Sequence, residues 1–274
     1  MDIVAKKLEC LHKYRSGMNN PLGITLLQDI PGFSNGYVYG DYWGNPNKEA
    51  NNIYRLEESG PVCVYSFPSG RVLHIHGITA DKKSGRVLIC TGDQDAESAI
   101  WEAFDDFKRV EPLVSGSQTC RSCAAYITDN GILYATDTPL ENNGIYLYSE
   151  EKKQAEKIYD MPGPCIYATT LCDAEGKTQY VFATSVEPDS SLPAWRYRFT
   201  YRLGAGVKSR WVNIIAGNPE NGFRTVARFK KDTLPMLLFQ FGNVLFAHVE
   251  ENDRVYLTPV GVKKQEQKTL QLDI

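Results

Sequence analysis

The chain has 274 residues, 42% hydrophobic and 11% aromatic, so it can bury the core of a globular domain and is a poor candidate for a disordered chain. Its formal charge is −3 and no lysine or arginine run exceeds two residues, which argues against nucleic acid as a partner. No apolar run approaches the roughly 18 residues that span a bilayer, and the amino end lacks a signal-peptide block, so we expect a soluble, cytoplasmic protein without a membrane partner.

The cysteine count gives no sign of a disulfide framework. There are seven cysteines, an odd number, and most lie inside apolar runs, as buried free thiols do. Cys120 and Cys123 have the spacing of a zinc or redox pair, but on a strand their side chains face opposite sides. We therefore expect reduced cysteines and no zinc site at this pair.

A repeat of about 50 residues runs through the chain. An aliphatic residue precedes an aromatic one in four strand-like stretches, at intervals of 47, 45 and 100 residues. These stretches are residues 52–54, 99–101, 144–146 and 244–246. Short strands at such a period, with almost no helical pattern, predict a β-propeller built from four-stranded antiparallel blades.

The first two units show the repeat most clearly. Residues 20–25 open the first unit and parallel residues 74–79, which open the second. Within the second unit, the apolar runs and the turn at residues 82–85 predict four strands, at residues 74–80, 86–91, 99–104 and 109–114.

The later units follow the same pattern less regularly. The third contains a strong hairpin signal, Asp129-Asn130-Gly131. The fourth opens near Tyr167 and has a long loop before an expected strand at residues 195–199, and the fifth opens near Arg224. We predict a single domain over residues 1–274 with five blades, at about residues 20–70, 71–117, 118–163, 164–217 and 218–262.

A propeller must close its ring, because an open ring leaves sheet edges unpaired. Leu270, Leu272 and Ile274 alternate with polar residues, as a closing strand would. Residues 2–14 form either a short amphipathic helix or the competing closing strand, and a sixth, partial blade is the alternative architecture.

The first strand of each blade lines the central channel, so residues matched across first strands form a ring. The next inward position holds His76 and Cys123 in the second and third units. The predicted ring is polar throughout and comprises Asn20, His74, Arg121, Tyr167 and Arg224.

Carboxylates are expected beside this ring. The loop after each second strand lies at the rim where the first strand begins, and it carries Asp41, Asp93 or Asp137 in the first three units. These aspartates either cap turns through side chain to backbone bonds or contribute to a site. Arg121 and Arg224 either pair with them or bind an anion, and guanidinium forks suit carboxylates, sulfate or phosphate.

A metal is a second possibility. His74 and His76 project from one face of a strand, an arrangement typical of metal ligands, but no third ligand is fixed by spacing. Hydrogen bonding within the core is the alternative for either imidazole. The sequence therefore gives no firm cofactor, with a divalent metal as the open alternative.

The strand-and-turn phrases at residues 99–106 and 144–151 resemble those that carry the Asp-box in the sialidase-like β-propellers. That resemblance covers residues 70–165 and implies a propeller whose site uses arginines for a substrate carboxylate, a tyrosine nucleophile and an aspartate acid. Arg121 and Arg224, Tyr167 and Asp93 match these parts. The Gly and Trp of the box are not in register after Asp105-Asp106-Phe107 or after residues 150–152.

Two classes of function follow from this sequence. The first is an enzyme acting on an acidic saccharide, either a sialidase-like glycosidase or a lyase in which His74 or Tyr167 is the base. In both cases Asn20, Arg121, Arg224, Asp41 and Asp137 would bind the substrate. The second is a non-catalytic lectin or protein-interaction scaffold, for which Tyr42, Trp43 and Trp195 are the aromatic candidates. The oligomeric state is not predicted.

Overall fold

Antiparallel β-sheet makes up nearly all of the regular structure. The structure, a computed structural model, describes residues 10–14, 18–19, 21–247 and 254–273. Four sheets contain four strands each and a fifth contains three, all antiparallel and each in chain order across the sheet. This architecture is consistent with the predicted β-propeller, while the number of blades stays a prediction.

The strands of the first and second sheets come from residues 18–115. The first part of the chain gives β1 (Met18–Asn19), β2 (Thr25–Leu27), β3 (Gly36–Gly40), β4 (Tyr42–Trp43), β5 (Asn51–Glu57) and β6 (Gly60–Phe67). Strands β2, β3, β5 and β6 form the first sheet, and β1 pairs with β4 beside it. The second sheet contains β7 (His74–Asp81), β8 (Arg86–Gly92), β9 (Ala99–Phe104) and β10 (Arg109–Ser115). The predicted strands of this unit match these to within one residue at each end.

The remaining sheets follow in the same order. A short 3-10 helix, Gln118–Cys120, leads into the third sheet: β11 (Ser122–Thr128), β12 (Gly131–Thr136), β13 (Asn143–Ser149) and β14 (Gln154–Met161). The fourth sheet contains β15 (Cys165–Cys172), β16 (Thr178–Thr184), β17 (Trp211–Asn218) and β18 (Gly222–Lys230), with helix α1 (Ala194–Phe199) between β16 and β17. The fifth sheet contains β19 (Asn243–Phe246), β20 (Val255–Val260) and β21 (Leu270–Leu272).

The predicted alignment of the fourth unit is wrong. Residues 195–199 lie in helix α1 and not in a strand, so the third strand of the sheet is β17. The fourth strand is therefore β18, which contains Arg224 at the outer edge of the sheet and not at the start of a fifth unit. The cause is the connection between β16 and β17, which is much longer than the hairpin loops elsewhere and shifts the repeat by one strand.

The hydrophobic core lies between consecutive sheets. Each strand turns alternate side chains to opposite faces, and the apolar residues on facing sides meet. Buried clusters join the first sheet to the second around Val38 and Ile89, and the second to the third around Leu88 and Tyr134. Two further clusters join the third to the fourth and the fourth to the fifth. The first strands of successive sheets also contact one another, from β2 through β7, β11 and β15 to β19.

Charged side chains tie neighbouring sheets together at their outer parts. Arg86 makes a paired contact with Glu102 of its own sheet and with Glu150 of the third sheet, at 2.8 Å for both bonds to Glu150. Arg55 of the first sheet pairs with Asp106, which lies in the turn between β9 and β10. That turn has three consecutive left-handed residues, Asp105, Asp106 and Phe107, with φ of 51°, 58° and 66°. The segment that resembles an Asp-box therefore serves here to link two sheets.

The termini do not meet in the described part of the chain. Leu270 and Leu272 belong to β21, the third strand of the fifth sheet, whereas β1 pairs with β4 beside the first sheet. Ile274 and residues 2–9 lie outside the described residues. Ring closure by the two termini therefore stays a prediction. Within the described ranges, no helix has the length and apolar character required to cross a membrane.

The thiols are free, as expected, but not all are buried. Cys90, Cys120, Cys123 and Cys165 are buried, whereas Cys10, Cys63 and Cys172 are exposed. The prediction that these residues mostly behave as core thiols therefore applies to four of the seven.

Gly77 lies where the first strands of the second and third sheets pack closely against each other. Replacing Gly77 tests this packing. A Cβ atom at this position would lie 2.4 Å from the backbone oxygen of Cys123. Because backbone cannot yield as a flexible side chain does, we expect Gly77→Ala to lower the free energy of unfolding by about 1–3 kcal/mol. Gly23, which has nothing within 4 Å of its Cβ position, is the matched control. Urea unfolding of Gly77→Ala and Gly23→Ala measures both, and equal stabilities would contradict the close packing.

Candidate functional site

The first strands begin, and the second strands end, at the same end of the molecule. His74 begins β7 and Asp93 directly follows β8. Arg121 directly precedes β11 and Asp137 directly follows β12. The antiparallel pairing of first and second strands therefore brings these four side chains together, as the sequence predicted. We call the set His74, His76, Asp93, Arg121, Cys123, Asp137 and Glu187 the central cluster.

Two histidines of the central cluster are held by backbone carbonyls. Nδ1 of His74 lies 2.8 Å from the carbonyl oxygen of Trp43, and Nδ1 of His76 lies 3.0 Å from that of Ser122. A carbonyl only accepts hydrogen bonds, so each Nδ1 must carry the proton and donate it. In a neutral imidazole the other nitrogen is then an acceptor. Both Nε2 atoms therefore present lone pairs to the cluster.

These two lone pairs converge with a carboxylate. Nε2 of His74 and Nε2 of His76 are 2.9 Å apart. Asp93 places Oδ1 3.2 Å from His76 Nε2 and Oδ2 3.4 Å from His74 Nε2. Arg121 donates to Oδ1 of Asp93, but the two Nε2 lone pairs face each other and the carboxylate with no proton of their own to donate. The arrangement therefore needs a shared proton or a cation between them.

The spacing of the three acceptors suits a metal ion. Ligand atoms placed tetrahedrally about 2.1 Å from an ion lie about 3.4 Å from one another. The two nitrogens are 2.9 Å apart, and those of His76 and His74 lie 3.2 and 3.4 Å from Oδ1 and Oδ2 of Asp93 respectively, all close to that value. Two histidines and one carboxylate leave further coordination positions open, which is typical of catalytic and not of structural metal sites. The side chain of Asp93 is 33% exposed, so solvent reaches this carboxylate.

A second group of possible ligands lies deeper, formed by His76, Cys123 and Asp137. The thiol of Cys123 donates to Oδ2 of Asp137 at 3.4 Å, and burial raises the pKa of this thiol well above its ordinary value. A thiol that keeps its proton is a poor metal ligand. The described residues therefore favour the group that contains Asp93.

Arg121 is already paired within the cluster. Its Nη2 lies 2.8 Å from Oδ1 of Asp93 and 3.6 Å from Oδ2 of Asp137. Its Nη1 donates to the backbone oxygen of Asp93 at 3.3 Å, and Gln118 donates to the same oxygen at 2.8 Å. Of the two readings left open by the sequence, the ion pair with rim aspartates is therefore the one observed. Arg121 fixes the position of Asp93.

The cluster contains more carboxyl groups than cations. Asp93, Asp137 and Glu187 share one guanidinium, that of Arg121. Burial raises the pKa of Asp137 to about 8, and burial likewise raises the pKa of Glu187, whose carboxyl accepts a bond from Ser185. Asp93 differs. Burial alone would raise its pKa, but a proton shared with the imidazoles of His74 and His76, together with the charge of Arg121, outweighs burial and holds the pKa of Asp93 well below its ordinary value. Burial lowers the pKa of His76. Near neutral pH, Asp93 is thus the ionised carboxylate of the group.

The raised pKa of Asp137 predicts a pH dependence of stability. Between about pH 4 and pH 8 the unfolded chain has released this proton while the folded chain retains it, so rising pH costs the folded state stability. Asp137→Asn removes this contribution. We expect the variant to become more stable relative to the parent as pH rises through this window. Urea unfolding of both proteins in chelator at several pH values measures the difference, and a constant difference would contradict the assigned protonation.

The other predicted site residues lie elsewhere or play other parts. Asp41 is buried and accepts a bond from the backbone N–H of Asn52 at 2.9 Å, which is the turn-capping alternative. Tyr167 lies on β15, half-buried, and burial raises its pKa, with the thiol of Cys123 as the second cause. Arg224 is exposed on β18 and is not part of the cluster, because the alignment of the fourth unit was displaced. Asn20 lies outside the described residues.

Glu187 was not singled out from the sequence, and Tyr42, which lies beside the cluster, was named only as an aromatic candidate for a lectin or interaction scaffold. The ring centroids of Tyr42 and His74 are 4.6 Å apart. Burial raises the pKa of the Tyr42 hydroxyl. Glu187 is the third residue after β16, whereas Asp93 and Asp137 directly follow β8 and β12. Its place after a second strand was the signal for Glu187, and the uncertain alignment of the fourth unit obscured it.

Comparisons with known proteins give resemblance at the level of the fold. No protein-family model matches this chain, and no curated protein matches it. Solved structures that resemble it include a protein assigned as TolB from Agrobacterium tumefaciens, with 15% identity, a TM-score of 0.43, and coverage of 70% of this chain and 62% of that one. A protein assigned as a 6-phosphogluconolactonase from Bacteroides uniformis has 11% identity, a TM-score of 0.47, and coverage of 92% and 69%.

A third neighbour is an oligogalacturonate lyase in complex with manganese, with 12% identity, a TM-score of 0.40, and coverage of 83% of this chain and 62% of that one. The chain spans less than two thirds of the length of two of these three neighbours. All three are propeller-like, and none is described as a sialidase. The Asp-box resemblance stays a prediction.

Proposed function

We propose that this chain is a metal-dependent, carbohydrate-active protein that binds a divalent cation through His74, His76 and Asp93. The observation that carries the proposal is the convergence of two imidazole lone pairs and a carboxylate, with Nε2 atoms 2.9 Å apart and no donor between them. Nitrogen and oxygen donors of this kind suit zinc, manganese or iron. Open coordination positions would receive an oxygen of the substrate.

The proposed substrate is an acidic saccharide, bound through its carboxylate. Arg121 is occupied by Asp93 and Asp137, and Arg224 is remote, so the expected arginine clamp is not available. A divalent cation held by His74, His76 and Asp93 would supply the missing positive charge and would act as a Lewis acid on the carboxylate. Asp137 and Glu187 hold protons in reach of Arg121 and are the candidate proton-transfer groups, with Tyr167 on the neighbouring strand as a third.

The reaction that this set of groups supports best is β-elimination from a uronic acid. It requires neutralisation of the carboxylate, which acidifies the adjacent C–H, a base that removes that proton, and an acid that protonates the glycosidic oxygen as its bond to the next carbon breaks. Asp137 and Glu187, which hold protons, are the candidate acids, and Tyr167, after releasing its own proton to solvent, is the candidate base. The test is incubation with uronate oligosaccharides in the presence of zinc or manganese. The expected result is a product with the ultraviolet absorbance of a new conjugated double bond, lost on chelation. Metal binding without any turnover would leave a lectin, the second candidate, which the exposed ring of Trp195 favours.

A further inference from the structure

The connection between β16 and β17 carries an unusual concentration of positive charge. Residues 188–210 contain five basic side chains and one acidic side chain, in a chain whose formal charge is −3. Arg202 pairs with Asp189 at 3.1 Å. Among the described residues, no carboxylate lies within ion-pair distance of the other four basic side chains of this connection. We call the following residues the basic rim: Trp195, Arg196, Arg198, Tyr201, Arg202 and Arg210.

Aromatic rings lie among these charges and face solvent. Trp195 is 68% exposed and Tyr201 is 52% exposed. The guanidinium of Arg196 lies 5.0 Å from the ring centroid of Trp195, and Arg210 donates to the backbone oxygen of Tyr201 at 2.6 Å. The surface continues to Trp211, whose ring is contacted by Arg228 and Lys230 of β18. Aromatic and arginine side chains exposed together on one surface are typical of interaction sites.

The basic rim lies at the same end of the molecule as the central cluster. It begins after β16, directly beyond Glu187, at the end where Asp93 and Asp137 also lie. The connection is bonded back to the chain that follows β16: the backbone N–H of Gly204 donates to the backbone oxygen of Glu187 at 3.2 Å, and that of Asp189 donates to the backbone oxygen of Arg202 at 2.9 Å. The rim is anchored by Leu203 and Val207, which pack in the core between the fourth and fifth sheets.

Edge protection explains only part of this surface. Basic residues on an outer strand discourage pairing with other chains, and this accounts for Arg228 and Lys230 on β18. It does not account for Arg196 and Arg198, which lie on a helix, nor for the exposure of Trp195. A ligand that offers both negative charge and apolar faces would satisfy both kinds of side chain.

We infer that the basic rim binds an extended polyuronate chain that enters the central cluster at one end. This inference rests on the proposed function. Sugar rings would pack their C–H faces on Trp195 and Tyr201, and carboxylates along the chain would meet the guanidinium groups of Arg196 and Arg198. A chain held in this way places one uronate at the cation site while the others occupy the rim, so the protein would prefer polymers to single sugars.

The experiment measures binding of polygalacturonate, alginate and hyaluronan, with neutral dextran as the uncharged polymer. We expect the parent to bind at least one polyuronate and not dextran, with affinity falling as salt rises.

The double variant Trp195→Ala/Arg198→Ala should bind the polyuronate at least about tenfold more weakly than the parent, with unchanged metal content. Both side chains are at the surface, so the variant should fold. Arg109→Ala, which removes an exposed arginine stacked on Phe104 of the second sheet, is the control and should bind as the parent does.

Several outcomes would overturn the inference. They are equal binding by the parent and the rim variant, binding of none of the three polyuronates, or tighter binding of oligothymidylate or phosphatidylserine vesicles. The two proposals can fail separately. Polyuronate binding that persists in a chain that takes up no metal would refute the proposed function alone, whereas one metal per chain without polymer binding would refute the rim alone.

Discussion

Replacing either His74 or His76 with alanine is expected to abolish binding of a divalent metal. Each imidazole supplies one of three ligand atoms through Nε2, and its Nδ1 is already bonded to a backbone carbonyl, so no rotation of the remaining ring replaces it. Loss of groups that only support a ligand weakens metal binding by about 10–100-fold, so loss of a ligand should exceed that. Metal analysis after equilibration with zinc or manganese, and titration by calorimetry, measure the effect.

His12→Ala is the matched control for this prediction. His12 bonds to the hydroxyl of Tyr39 and lies among tyrosines of the first sheet, away from the cluster. Its replacement should leave metal content unchanged. Metal should also raise the free energy of unfolding of the parent, by about 2.7 kcal/mol at a metal concentration 100 times the dissociation constant. It should not raise the free energy of unfolding of His74→Ala or His76→Ala. A parent that gains no stability from any divalent ion would contradict the site.

Replacing Arg121 with methionine is expected to be strongly destabilising. Arg121 is the shared cation for Asp93 and Asp137, and its side chain is only 16% exposed. Removing one partner of a buried ion pair leaves an uncompensated charge and costs about 3–5 kcal/mol. Asp93 would bear most of this cost, because it is the carboxyl whose pKa is held low. Urea unfolding in the presence of chelator measures the loss without compensation by a bound cation.

A double-variant cycle separates the ion pair from packing. In Arg121→Met/Asp93→Asn both charges are removed, so the combined loss should be clearly smaller than the sum of the two single losses. Arg109→Ala, at an exposed arginine, should change stability by no more than about 0.5 kcal/mol. Additive losses would mean that Arg121 stabilises the fold through its contacts with other groups and that it does not fix Asp93.

Antiparallel pairing fixes which chain segments meet, and for this reason the sequence placed four side chains of the central cluster close together, namely His74, Asp93, Arg121 and Asp137. Once His74 was placed at the start of a first strand, the loop containing Asp93 had to lie beside it, and the same held for Arg121 and Asp137. The hairpin at Asp129-Asn130-Gly131 and the strands of the second unit were equally local signals. Such features depend on short-range pattern and turn chemistry, which a single sequence carries.

The predictions that were wrong concern chain segments where the local pattern or the strand count does not match the fold. Arg224 was misplaced because the connection after β16 is long and contains helix α1, so counting strands at a fixed period no longer worked. Residues 195–199 alternate aromatic and arginine side chains, which is the pattern of a half-buried strand, yet the structure has a helix there. Asp41 follows a second strand as Asp93 does, yet it accepts a backbone bond. Identical position therefore does not decide whether an aspartate caps a turn or joins a site.

The state of the two imidazoles could not be predicted either. The nitrogen that carries the proton is set by the carbonyl groups of Trp43 and Ser122. These two residues belong to two other sheets than the one that contains the histidines. The sequence offered a histidine pair without a third ligand, and the structure supplies Asp93 in that place.

X-ray diffraction from crystals grown with zinc, recorded on both sides of the zinc absorption edge, tests the central claim most directly. We predict an anomalous peak at about 2.1 Å from Nε2 of His74, Nε2 of His76 and a carboxylate oxygen of Asp93. A zinc-free cluster in such crystals, with a proton shared between the imidazoles and Asp93 and no peak at this position, would contradict the account.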